Sequence, residues 1–343
     1  MYSEEDLNAA VASGALTQQA ADALRGHAAR NHASPAADEE HFRLITGFND
    51  IFVVIACLIL LTSIGWIGGN ISPALSAVAV AASSWGLAEF FTRKRRMALP
   101  SILLLGVFVT AVMLMALQPS GGVISLLGGH ESSTTHVIFM SLAGLAGALA
   151  AWLHWRRFKV PVTVAAGALA VVVCGYGVLV ALVPDSRLWT SSISLLAGIA
   201  VFIAAMRWDA SDPARQTRNS DVAFWLHLLA APLLVHPVFT GLGVLSSTPN
   251  AYQAAGVLAV YVLIALVSLA IDRRAMMVSS LGYVLFALGA LLKTYGAIGM
   301  GFAVTALVVG SALLLLSAFW QRSRQVVVGA LPAGVRAWIA PLQ

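Results

Sequence analysis

Two histidines, His227 and His236, lie nine residues apart in "FWLHLLAAPLLVHPVF", an apolar run from Phe224 to Phe239 that also holds Pro232 and Pro237. Placing an ionisable side chain at the centre of a bilayer costs roughly 2.5 to 3.5 kcal/mol even on the mildest scale, so such residues are the first place to look for function. An imidazole can carry a proton or hold a polar solute, and each proline frees a backbone carbonyl. On a helix, nine residues turn through about 180°, so the two rings face opposite sides and cannot share a metal ion. The same residues also fit a plainer role, as histidines hydrogen-bonded between helices.

The other candidates sit at the edges of apolar runs. "HFRLITGFNDIFVVIACLILL", from His41 to Leu61, sets Asn49 and Asp50 against an unbroken apolar stretch. Counting about 20 residues back from Trp66, taken as an outer anchor, puts Asp50 roughly one turn inside the inner boundary, within reach of water, headgroups or Arg43. Should both polar residues face the protein interior, they mark the cytoplasmic mouth of a pathway. Glu89 precedes Arg93 by four residues, which predicts an ion pair at the inner interface. Lys293 and Arg187, isolated cations on the outer side, define a candidate entrance for an anion.

His130, Glu131 and His136 lack the His-Glu-x-x-His spacing of a helical zinc site, so no metal is expected. The chain contains no phosphate loop, nucleophile elbow or dinucleotide fingerprint, and neither enzymatic activity nor a cofactor is expected.

Composition sets the elements that carry these residues. The 343 residues are 59% hydrophobic and 10% charged, with mean hydropathy +0.86. Soluble domains are about half apolar and a quarter charged, so this chain lies mostly in lipid. Apolar runs near spanning length cover 49–68, 71–91, 99–117, 136–155, 160–183, 189–206, 222–245, 251–271, 275–293 and 297–320. The expected fold is an all-α integral membrane protein of about ten transmembrane helices. Ala143, Gly147 and Ala151 recur at four-residue intervals and predict a close helix contact.

Alternate connections are basic: Arg93 to Arg96; Arg156, Arg157 and Lys159; Arg207, Arg215 and Arg218; Arg273 and Arg274; Arg322 and Arg324. Placing these loops and both termini in the cytoplasm puts 18 of the 20 Lys and Arg inside, as the positive-inside rule requires. Orientation thus accounts for the net charge of +5, and no nucleic-acid partner is expected. The turns "RRMALP", "RRFKVP" and "RRAMMV" each open an outward helix, and Gly175-Tyr176 and Gly282-Tyr283 recur within spans, which suggests a repeated hairpin.

The ends divide the chain into a cytosolic helical hairpin and linker at 1–37, the membrane domain at 38–324 and a cytosolic or inner-leaflet tail at 325–343. In the hairpin, Gly14 ends one short helix and Thr17 caps the next. Leu7, Val11, Leu16 and Leu24 form only a narrow apolar stripe, so this hairpin needs a surface: a protein partner or a second copy. In the tail, Leu331, Val335, Trp338 and Ile339 predict a short helix on the inner leaflet after Pro332.

The stretches "DLNAAVASGALTQQAADALRGH" at 6–27, "DEEHFRLITGFNDIFVVIA" at 38–56 and "GSALLLLSAFWQRSR" at 310–324 resemble a group of uncharacterised bacterial multi-pass membrane proteins. Those proteins carry a short Gly-x-Leu-Thr-x-x-x-Ala helical segment ahead of a multi-span domain. The resemblance implies a bacterial inner-membrane location and brings no substrate, cofactor or catalytic residue. Two functions follow from the residues: a small-solute transporter or permease, or a non-catalytic scaffold, assembly factor or sensor that docks a partner through residues 1–30.

Overall fold

The computed structural model describes residues 10–24, 48–117, 134–213, 215, 217–243, 251–294 and 301–336. It divides into two compact units, residues 1–42 and 43–343. In the first, Gly14 takes a left-handed conformation (φ 75°) that closes one helical turn. The Thr17 hydroxyl then accepts a hydrogen bond from the Ala20 amide at 3.2 Å, capping a helix over 18–24.

The second unit is built from helices, with no strand among its described residues. In chain order they are α1 (Phe48–Ile71), α2 (Pro73–Ala88) with a π-helical turn at Glu89–Lys94, α3 (Ala98–Leu117), α4 (Thr134–Phe158), α5 (Val162–Leu182), α6 (Thr190–Ala210) and α7 (Arg218–Gly241). They continue as α8 (Ala251–Ile271), α9 (Ala275–Thr294), α10 (Gly301–Ala318), α11 (Trp320–Ala330) and the short α12 (Ala333–Arg336). Each apolar run of the sequence falls on one of α1 to α10. Among the described residues, seven helices, within α1 to α7, are long and apolar enough to cross a membrane. Helices α8 and α10 contain the shorter apolar stretches Ala255–Ile271 and Leu307–Ala318.

Close packing follows the small residues. In the α1–α2 hairpin, Ser72 caps α2 by accepting from the Leu75 amide, and the Ser76 hydroxyl donates to the Gly65 carbonyl at 2.8 Å. A Cβ at Gly68 would lie 2.8 Å from the Ser76 Cα, so only glycine permits this approach. The small-residue face of α4 packs as its spacing predicts. Ala143 and Ala151 are buried, and a Cβ at Gly147 would meet Met113 at 2.8 Å. One residue along, a Cβ at Gly144 would lie 2.5 Å from the Cys174 backbone nitrogen, so α4 and α5 touch main chain to main chain.

Four basic-side turns use a non-glycine residue with positive φ: Arg96 (53°), Lys159 (56°), Arg215 (54°) and Asp272 (59°). Near three of these turns and at the start of α11, basic side chains lie over aromatic rings: Arg95 over Phe90, Arg156 over Trp152, Lys159 over Trp155, Arg274 over Trp320 and Arg322 over Phe319. The three pairs that involve Trp152, Trp155 and Trp320 join a cation to an amphipathic indole, which suits a membrane–water boundary.

The backbone bends at Phe319 (φ −107°, ψ 21°), and α11 runs across residue 325 and packs against α8. Trp320, Arg324 and Val328, four residues apart, form its buried face. Helix α12 follows Pro332 as expected, while Trp338 and Ile339 lie outside the described residues.

Candidate functional site

Asp209 is the penultimate residue of α6, and α7 begins at Arg218 after a short connection. Asp212 organises that turn: one carboxylate oxygen accepts from the Thr217 amide and hydroxyl, each at 2.7 Å. Thr217, in extended conformation, caps α7 by accepting from the Asn219 amide. This fixes the start of α7 and so sets where His227 lies.

The His227 ring is fully buried, with Nε2 2.8 Å from a carboxylate oxygen of Asp209. An ionised carboxylate only accepts, so Nε2 carries the proton. Nδ1 is buried without a hydrogen-bond partner among the described residues, and Phe202 meets the ring edge-on at 5.3 Å. The other side of Asp209 is taken by Arg273. Its Nη2 donates to Oδ1 and its Nε to Oδ2 at 3.3 Å, a two-point contact that only arginine can make. The same Nη2 also donates to the Ser220 carbonyl and hydroxyl at the start of α7.

Arg273 belongs to the α8–α9 turn, where its amide donates to the Ser268 carbonyl and its carbonyl accepts from the Ser268 hydroxyl. The preceding residue, Asp272, is the second hub. It accepts from Arg215 Nη1 at 2.8 Å and from Trp320 Nε1 at 2.7 Å, and Arg324 Nε lies 3.8 Å away. Arg215 Nη2 also donates to the Ile271 and Asp272 carbonyls, where the C-terminal dipole of α8 favours a cation. Arg273 is 2% exposed and Arg324 fully buried. Two aspartates and three arginines, with His227, therefore join α6, α7, the α8–α9 turn and α11. Buried charges persist only when paired in this way.

The second histidine is separate. His236 is exposed, and its Nδ1 shares a hydrogen bond of 2.5 Å with the Tyr283 hydroxyl of α9, while Tyr283 stacks on Phe239 at 4.7 Å. The rings of His227 and His236 thus take different neighbours and exposures, in line with their spacing. Pro237 cannot donate to the Leu233 carbonyl, and Ser194 of α6 donates to that oxygen at 3.2 Å instead. Gly198, one turn on, permits the approach: a Cβ there would lie 3.0 Å from the Leu233 carbonyl carbon. The freed carbonyl is used for packing.

Asp50 is buried at 3% exposure, whereas its neighbour Asn49 is exposed, so the pair divides between two faces. Glu89 pairs with Arg93 at 3.3 Å, as the four-residue spacing predicts, and also accepts from Arg157 Nε at 2.6 Å and Nη2 at 3.0 Å. His130 and Glu131, and the side chains of His136 and Lys293, lie outside what the structure describes. Among the described residues no histidine, cysteine and carboxylate cluster suits a metal. One cavity of about 590 Å³ lies among α1, α2 and α3 beside Ser76 and Thr110, and another of about 500 Å³ lies at the Glu89 turn. Neither touches the buried charges.

Asp209, Arg215, Asp272, Arg273, Trp320 and Arg324 were not candidates on sequence grounds. A signal existed: beyond residue 40 the chain has eight carboxylates, and Asp209, Asp212, Asp221 and Asp272 are four of them. No family model matches the chain, and no curated protein or solved structure matches it.

Proposed function

We propose that this is a multi-pass membrane protein that acts by docking a partner through its N-terminal unit, with the membrane unit as a rigid anchor. The carrying observation is that the buried ionisable groups Asp209, His227, Asp272 and Arg273 are engaged within the protein: Asp209 with His227 and Arg273, Asp272 with Arg215 and the Trp320 indole of α11. Groups engaged in this way do not serve a passing solute. Residues 1–42 form a compact unit of their own, and the exposure of Leu24 at 44% supports a contact with a partner or second copy there.

The reading includes ten spans with both termini in the cytoplasm of a bacterium. It is supported by the alternation of basic turns and by the cation–aromatic pairs around them. Crosslinking in native membranes, then purification, tests the docking. A chain lacking residues 1–30 is expected to insert normally and lose a specific partner. An identical set of partners from both chains would overturn the reading.

A small-solute transporter is the second reading, favoured by the burial of Asp50 in the first turn of α1. With Cys57→Ala and Cys174→Ala as background, a cysteine in place of His227 separates the two. Labelling by a membrane-impermeant thiol reagent supports a water-filled pathway, and its absence supports the anchor.

A further inference from the structure

The turn that closes α2 is built differently from the other basic turns described. Over Glu89–Lys94 the backbone is π-helical, a form that holds an extra residue per turn and recurs at functional sites. Beside it lies the cavity of about 500 Å³, lined by Gly86, Glu89, Phe90, Arg93 and Lys94. Both Glu89 oxygens are occupied, one by Arg157 Nε and the other by Arg157 Nη2 and Arg93 Nη1. A single carboxylate thus gathers two guanidiniums beside Lys94, and the cluster keeps an excess of two positive charges. Arg95, lying over the Phe90 ring at 5.5 Å, adds to the field at the rim.

The floor is of another kind. A Cβ at Gly86 would meet nothing within 4 Å, so there is open space against the α2 backbone one turn from the charges. Phe90, held edge-on against Phe91 at 5.0 Å, is exposed beside it. A cationic mouth over an apolar floor, at the end of a helix apolar enough to span, has the polarity of a lipid at its headgroup.

We propose that this turn binds the phosphate of an anionic phospholipid, with Arg93, Lys94 and the free edge of Arg157 as donors and an acyl chain along Gly86 and Phe90. The proposal rests on α2 being a membrane span and is independent of the docking reading. Glu89 acts as the organiser that keeps both guanidiniums from swinging into solvent. Free inorganic phosphate, which has no chain for the floor, binds far more weakly.

The test uses the full chain in detergent, titrated with phosphatidylglycerol or phosphatidylcholine, with bound lipid counted by native mass spectrometry. Phosphatidylglycerol is expected to be retained over phosphatidylcholine. R93Q/K94Q should lower that retention about tenfold or more, from roughly 1 kcal/mol per basic residue. R93K/K94R, which keeps the charges, and R322Q, which removes one from α11, should stay within about twofold of the parent. Gly86→Leu fills the floor without changing charge and should also weaken retention. Millimolar inorganic phosphate should not displace the lipid. Unchanged retention in both R93Q/K94Q and Gly86→Leu, an equal loss in R322Q, or displacement by inorganic phosphate would each overturn the proposal.

Discussion

The Asp209 carboxylate is shared by His227 and Arg273, although the arginine lies 64 residues further along the chain. Removing one partner of such a pair strands the other charge. Arg273→Ala is therefore expected to cost about 3–5 kcal/mol, and Arg273→Lys, which cannot make the two-point contact, a substantial part of that. Thermal unfolding of the purified protein checks both. In a double-mutant cycle with Asp209→Asn the two losses should be far from additive, since either one alone breaks the same contact.

Trp320 makes a similar case with a gentler substitution. Trp320→Phe keeps most of the ring but removes the indole N–H that donates to Asp272. A hydrogen bond to a charged group contributes about 1.5–3 kcal/mol, and its loss should loosen α11 from α8. Limited trypsin digestion should then cut faster after Arg322 and Arg324; unchanged cutting would show that the indole does not hold this helix.

The α4–α5 contact offers a paired comparison. Gly144→Ala places a methyl group against the Cys174 backbone, which cannot yield as a side chain can, and should destabilise by about 1–3 kcal/mol. Gly175→Ala, one residue beyond Cys174, meets open space and should be neutral or slightly stabilising. Equal effects at the two positions would contradict the packing described.

Ser194→Ala removes the donor to the Leu233 carbonyl left open by Pro237. Hydrogen bonds between membrane helices contribute about 0.6–1.7 kcal/mol, so a loss in that range is expected. Restoring an amide donor with Pro237→Ala should reduce the effect of the serine change.

At Arg96 the left-handed backbone decides the outcome. Arg96→Val should cost about 1–2 kcal/mol, because a β-branched residue resists positive φ, whereas Arg96→Gly should be close to neutral. Circular-dichroism melting curves of the two variants separate backbone strain from loss of charge, since both remove the same guanidinium.

Helix positions were legible in the sequence because lipid imposes them: long apolar stretches must satisfy their backbone internally. The Glu89–Arg93 pair was legible for the same local reason, being one helical turn apart. Arg157 was not, since its approach to Glu89 depends on how α4 packs, 68 residues away. In the sequence Arg273 and Arg324 signal only orientation, and nothing local distinguishes a hydrated arginine from a buried one. The difference lies in Asp209 and Asp272, which meet them only in the folded protein. α11 was hidden for a related reason: its apolar face has a charged member, Arg324, whose neutralisation by Asp272 is tertiary. The extra residue in the Glu89–Lys94 turn left no mark in the apolar pattern.

The Asp272 hub also orders events in time. Asp209 and Arg215 leave the ribosome before Asp272 and Arg273 exist, and Trp320 and Arg324 follow some fifty residues after those. The first charges must therefore wait, hydrated, near the membrane surface until their counterparts arrive. Helix α11, made after α1 to α10, is the one that closes the set. A chain truncated before Trp320 could insert every span ahead of it and still leave Asp272 exposed to water, unfinished at the step where membrane insertion ends and folding begins.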